Sequence, residues 1–514
     1  MMTPEEELAA SRRLHWMSIL ELHAISRGDQ DALVGEERRL TWRDVRNQVR
    51  AVSAELQSRG VNVGDRVFIL SLNSVEYVIA LLAINTVGAI ACPLNSRSVP
   101  AELDYFAADS GAVFGFVDDL GAAVRERSGI ASEVSVICFG EEFQAIAESG
   151  AQPEAVDVAE TNDAFIIYTS GTTSAPKGVL LTHMNMISQA LNTTRTAPPG
   201  APSDCNMVVV PLFHIAGLAF LYPCFLNGVK VVIAPPKALA SMESLADLLE
   251  TERVTNLFLV PTLWQALCST PGVRERDLKL KGLSWGASPA SRETLQLMAD
   301  TFPDAHISAA FGQTEMSPTT CSLPGEDSVR KMGSVGRPIG LVAARIVDPL
   351  GEDVRPGETG EIVYRGPGLM KEYWNKPEQT AQATDGGWFH SGDLVREDEE
   401  GFVFVVDRAK DIIISGGENI SSVEVEHAVA AHPKVADASV IGMPHPKWVE
   451  TPVVFVVSSD PADPPVLEEI RDFLTDRIAS FKKPTRLEVV AELPRNASGK
   501  LQKHKLREDF AANE

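Results

Sequence analysis

The sequence predicts an α/β protein with a large N-terminal domain of several α/β subdomains, followed by a small α+β C-terminal domain. Three observations lead there. Short β-branched runs bounded by glycine or proline, at 66–70, 164–168, 207–210, 229–233 and 257–260, alternate with helical patterns such as 241–252. A chain of 514 residues exceeds what one hydrophobic core usually supports. After about residue 405 the alternation gives way to a different pattern.

Taken in order, residues 66–260 supply the strands and helices of the large domain, and the run 164–168 leads directly into a loop of small polar residues. Residues 362–406 are rich in glycine, aromatics and short alternating runs, which predicts small β-structure. Beyond them, 421–433 reads as a helix, 435–441 and 451–457 as strands, and 466–478 as a second helix. That unit is of ordinary domain size. The boundary is placed at 407–410, dividing the chain into 1–407 and 408–514. No internal repeat is visible, and 459–465 reads as a surface loop.

With 44% hydrophobic and 23% charged residues, the composition is that of a globular protein. Seventy acidic against 46 basic side chains give a net charge of -24, which argues against nucleic acid or an anionic membrane as partner. An anionic small molecule stays admissible, since a phosphate answers to a few local donors. The six cysteines have no C-x-x-C pair or metal-ligand spacing, which fits free thiols in a reducing cytoplasm. No secretory leader, membrane span or peroxisomal address is read, and a homodimer is the commonest assembly to expect.

The loop is Tyr168-Thr-Ser-Gly-Thr-Thr-Ser-Ala-Pro-Lys-Gly-Val179. Gly171 and Gly178 allow close backbone approach to phosphate, the hydroxyls of Thr169, Ser170, Thr172 and Thr173 can donate, and Lys177 adds a point charge. It is not a Walker loop, because Pro176 stands where the second glycine belongs. An ordinary hydroxyl-rich turn is the alternative.

Six further motifs follow in order: Pro211-Leu-Phe-His-Ile-Ala-Gly217, Gly286-Ala-Ser-Pro289, Phe311-Gly-Gln-Thr-Glu315, Ser391-Gly-Asp393, Asp407-Arg-Ala-Lys-Asp411 and Pro494-Arg-Asn-Ala-Ser-Gly-Lys500. Together with the loop, they make the chain resemble the adenylate-forming superfamily of acyl-CoA synthetases, peptide adenylation domains and beetle luciferases. The resemblance runs from Leu40 to Lys500. It implies an ATP-dependent acid:CoA ligase using Mg²⁺, with acyl-AMP and pyrophosphate formed first and AMP then displaced by the CoA thiol. A fatty or aryl acid is the expected substrate.

The resemblance also implies roles. Lys500, otherwise a solvated tail lysine, bridges the carboxylate and the α-phosphate during adenylation. Glu315 holds Mg²⁺, which needs few protein carboxylates, and Thr314 meets the α-phosphate. Asp393 accepts the ribose hydroxyls, and Arg408 serves the same nucleotide, although a salt bridge is its plainer reading. Ala287, Ser288, Pro289, Ala309, Ala310, Phe311 and Gly312 surround adenine, with Phe311 in place of the more frequent tyrosine. His214 gates the carboxylate site, and Gly286 with Ala287 floors the acyl pocket. Trp285 is read as a candidate pocket wall or as a core tryptophan. Lys410 is the hinge that makes the small domain mobile, and Ser415, Gly416, Gly417 and Glu418 line the pantetheine tunnel after rotation.

Three positions depart from the family pattern: Ser174 for glycine, Ser422 for proline and Val449 for glycine. Val449 raises the sharpest question, because a β-branched residue resists positive φ. Two rival readings are a standalone ligase that loads a carrier protein and a non-catalytic nucleotide-binding protein. Against the second stand Lys177, Glu315, Asp393, Arg408 and Lys500 together. Luciferase-like oxidation has no support in the residues.

Overall fold

Alternation of buried strands and helices organises the larger of two compact units, Met1–Ala343 with Arg365–Phe389; the smaller comprises Ala344–Tyr364 and His390–Glu514. The computed structural model describes residues 12–169, 176–196, 200–286, 290–415, 418–475, 477–495 and 501–512.

One sheet of the larger unit runs in the order Glu372–Tyr373, Lys177–Thr182, Asp163–Thr169, Ile90–Leu94, Arg66–Leu70, Ala112–Val117, Ser135–Cys138. Its central strands are parallel and buried, which is why they read as continuous apolar runs. Near one edge the order changes: Asp163–Thr169 pairs antiparallel with Lys177–Thr182. The candidate phosphate loop therefore connects the two arms of a hairpin, whereas a Walker loop leads from a strand into a helix.

A second sheet carries, in order, Thr319–Leu323, His306–Gly312, Gly282–Gly286, Asn256–Leu259, Cys205–Val208, Lys230–Ile233, Asp31–Val34 and Arg39–Thr41. Pairing is parallel from His306–Gly312 through Asp31–Val34. Its helices start at sequence-legible caps, as where Ser241 Oγ accepts the Ser244 N–H before Met242–Thr251. Among the described residues no helix is long and apolar enough to cross a membrane.

In the smaller unit, Val435–His445 and Val449–Ser458 form a long hairpin. Ile413–Ser415 and Arg486–Val489 both pair with Val449–Ser458. Valine and isoleucine side chains from these strands pack with Val425 and Val429 of the helix Ser422–Ala430. The helix predicted at 466–478 is confined to Leu467–Phe473. The Thr475 hydroxyl bonds back to Arg471 O, a contact that competes with continued helical geometry.

Val449 sits at the tip of the hairpin with φ +72, two-thirds exposed. Little packing offsets this left-handed conformation, whose cost for a non-glycine residue is on the order of 1 kcal/mol. Val449→Gly should raise the unfolding midpoint of the smaller unit by about 2–4 °C in calorimetry. A lowered midpoint would show that the valine side chain holds the tip.

Candidate active site

The hairpin that carries the loop is clamped at its base. Tyr168 donates its hydroxyl to Asp109 Oδ2 (2.9 Å), Trp374 Nε1 donates to Asp109 O (3.0 Å), and Tyr105 donates to Pro176 O (2.7 Å). Thr169 and Lys177 are the last pair in register, with a 3.5 Å contact from Thr169 Oγ1 to Lys177 O. A Cβ on Gly178 would lie 2.7 Å from Ile166 Cγ2, so crowding inside the hairpin also requires glycine there. Ser170, Gly171, Thr172, Thr173 and Ser174 lie outside the described residues.

Tyr373 joins two of the expected site residues. Its strand pairs antiparallel with Lys177–Thr182, which sets Tyr373 opposite Val179. The phenol donates to Glu315 Oε1 at 2.8 Å, while the Lys177 ammonium lies 4.8 Å from the ring centroid. The Glu315 carbonyl accepts the Met370 N–H (2.7 Å), so both the backbone and the side chain of Glu315 are held by the 370–373 segment. Sequence reasoning missed Tyr373. The only signal was an aromatic residue within Lys371-Glu-Tyr-Trp-Asn-Lys-Pro377.

Glu315 and Thr314 begin the short turn Thr314–Met316 just beyond the strand His306–Gly312. Gly312 makes the corner possible: φ is +155, and a Cβ would fall 1.9 Å from Pro318 O. Ala309 is buried, while Ala310, Phe311, Thr314 and Glu315 are partly open. Among the described residues no group of three or more His, Cys, Asp or Glu could hold a metal.

His214 precedes the helix Ile215–Asn227, and Gly217 lets the first turn close on Pro211, whose carbonyl would sit 2.5 Å from a Cβ at position 217. The imidazole packs against Phe213 with ring centroids 4.7 Å apart, and its Nε2 has no hydrogen-bond partner among the described residues. Burial lowers the His214 pKa to about 4. The ring is thus neutral at physiological pH.

Strand register sorts the neighbouring side chains. Phe258 is level with Ser284 and Leu259 with Trp285, so Phe258, Ser284 and Gly286 share one face. Phe220, from the helix after His214, packs against Phe258 with ring centroids 4.6 Å apart and the ring planes tilted by 33°. A Cβ on Gly286 would come within 3.3 Å of Phe258 Cε2. Trp285 alternates to the opposite face with Leu283, buried, its Nε1 without a hydrogen-bond partner among the described residues. Ala287, Ser288 and Pro289 lie outside the described residues.

In the smaller unit Asp393 and Arg408 are opposite each other across an antiparallel pair, and Arg408 Nε lies 2.5 Å from Asp393 Oδ1. The arginine thus orients a carboxylate whose side chain is only 4% exposed. Lys410 is held below the usual lysine range, chiefly by burial; Asp411 opposes that effect, and Arg408, Arg507 and Lys503 add to it. Ser415 pairs with Glu418 and with Val449. Gly416, Gly417 and Lys500 lie outside the described residues.

The model of the AMP-binding enzyme family matches residues 20–374, and that of the AMP-binding enzyme C-terminal domain matches residues 424–500. A feruloyl-CoA synthase of Amycolatopsis sp is 35% identical over 92% of this chain and 94% of its own length. A fatty acid–[acyl-carrier-protein] ligase of Streptomyces coeruleorubidus is 32% identical over 95% of both chains. The o-succinylbenzoate CoA synthetase from Bacillus subtilis, solved with its acyl-adenylate intermediate, superposes with a TM-score of 0.85 at 29% identity, covering 95% of this chain and 97% of that one.

Proposed function

This chain belongs to the AMP-binding enzyme family, and on that premise we propose an aryl carboxylic acid as its substrate and coenzyme A as its acceptor. The protein is an AMP-forming acid–thiol ligase. A carboxylate oxygen attacks the α-phosphorus of ATP as the bond to pyrophosphate breaks; a thiol then attacks the carbonyl carbon and expels AMP. Adenylation turns a poor leaving group into a good one.

Within the proposal, Lys177 and the loop hydroxyls retain the departing pyrophosphate, and Thr314 meets the α-phosphate. Glu315, oriented by Tyr373, would hold the magnesium ion, which screens phosphate charge when bound. Ala309, Ala310, Phe311 and Gly312, with 287–289, take adenine, while Asp393 takes the ribose hydroxyls. Lys500 meets the developing charge at the α-phosphate. Asp407 to Lys410 form the hinge that turns 408–514 between the half-reactions, when Ser415 to Glu418 come to the pantetheine arm.

The observation that carries the aryl reading is the Phe220–Phe258 pair facing Gly286. A tilted aromatic pair beside a residue without a side chain offers an apolar surface against which a planar ring packs with favourable geometry. A carrier-protein acceptor is the second reading, favoured by the 32% identity to the Streptomyces ligase. A homodimer in the cytoplasm completes the proposal, checked by sedimentation of the purified chain and by cell fractionation.

The test incubates the protein with ATP, a panel of aryl and alkyl acids, and either coenzyme A or a phosphopantetheinylated carrier, with thioesters read by mass spectrometry. Aryl-CoA products bear the proposal out. Pyrophosphate release without a CoA thioester would refute the acceptor, and a preference for alkyl acids would refute the substrate class.

A further inference from the structure

The helix Lys503–Ala512 of the smaller unit begins three residues after Lys500 and presents Lys503, Leu506, Arg507 and Phe510 along one stripe. Leu506 and Phe510, four apart, are 3% and 6% exposed in a cluster with Ile441, Met443, Val453 and Phe455. Lys503 and Arg507, also four apart, meet acidic groups instead. Arg507 Nη2 lies 2.8 Å from Asp411 Oδ1, and Lys503 Nζ lies 2.8 Å from Glu426 Oε1. Lys503 also donates to Ser422 Oγ at 2.6 Å.

Ser422 passes this contact on to the hinge motif. Its N–H (2.6 Å) and its hydroxyl (2.8 Å) both donate to Asp407 Oδ2, while Asp407 Oδ1 accepts the Arg408 N–H (2.7 Å). Asp407 is 1% exposed and Ser422 fully buried, so three donors offset the cost of taking this carboxylate out of water. One hydroxyl can donate once and still accept, and Ser422 Oγ does both. A proline at 422 could supply neither the N–H nor the hydroxyl. The departure from the family pattern at this position thus has a structural use in this chain.

We propose that Ser422 and Lys503 are positioning residues that tie the start of the C-terminal helix to Asp407 of the hinge motif. This rests on Lys500 being the adenylation lysine.

The test separates the half-reactions in the full-length protein: acid-dependent pyrophosphate–ATP exchange, and thioester formation from supplied acyl-adenylate and coenzyme A. Lys503→Met should lower exchange about tenfold or more, as expected when a catalytic group is misplaced, with thioester formation within about twofold. Lys503→Arg should restore exchange, and Ser422→Ala should lower it in the same selective way, which keeps the test open if Lys503→Met does not fold. Equal losses in both half-reactions would mean a general loss of structure and overturn the proposal. So would unchanged exchange in both variants while Lys500→Ala is inactive. If Lys500→Ala itself retains exchange, the assignment of Lys500 fails and the proposal goes with it.

Discussion

Replacing Lys500 with alanine should lower acid-dependent pyrophosphate release by roughly 10²–10³-fold, the loss that follows removal of one preorganised group at a developing charge. ATP binding should change little, because the nucleotide keeps its other partners. Thioester formation from supplied acyl-adenylate should also be spared, since the α-phosphate charge has already been resolved when the thiol attacks. Parallel assays of the two half-reactions check this. Equal loss in both would move Lys500 from chemistry to folding, and unchanged exchange would remove it from the site.

Glu315→Gln should produce the second large effect: adenylation falls by roughly 10²-fold at limiting magnesium and recovers in part as the ion is raised. The amide keeps the shape of the side chain but removes the charge that a hard cation prefers. Tyr373→Phe should shift the magnesium requirement the same way by about tenfold, since one hydrogen bond to a charged group is worth about 1.5–3 kcal/mol. The phenol reaches Glu315 Oε1 directly, so the double variant should cost less than the sum of the two. A magnesium titration of the initial rate reads all three. Full additivity would mean that Tyr373 acts elsewhere, and an unchanged titration for Glu315→Gln would remove the cation from this carboxylate.

What could be read from the sequence was the chemistry that lies close together along the chain. The loop from Tyr168 to Val179 could be proposed as a phosphate cradle because its glycines, hydroxyls and lysine are neighbours in sequence. Val449 was flagged at the position where the backbone has a positive φ, because the objection to a β-branched residue is local. Tyr373 was not legible. A two-residue strand has no alternation to detect, and its partner Glu315 lies 58 residues earlier. Trp285 stayed ambiguous for another reason: all five residues of Gly282–Gly286 are buried, so neither face of the strand announces itself in polarity. Only register with Phe258 assigns the faces. The use of Ser422 was hidden in the same way, because Asp407 and Lys503 lie 15 and 81 residues from it.

In the first half-reaction a carboxylate oxygen becomes bonded to the α-phosphorus of ATP. An acid selected by the panel, labelled with ¹⁸O in both carboxyl oxygens, is turned over with ATP and coenzyme A, and the nucleotide and phosphate products are weighed by mass spectrometry. Attack at the α-phosphorus followed by thiol displacement leaves one labelled oxygen in AMP and none in pyrophosphate. Label in inorganic phosphate with ADP as the nucleotide product, or AMP free of label, would contradict it.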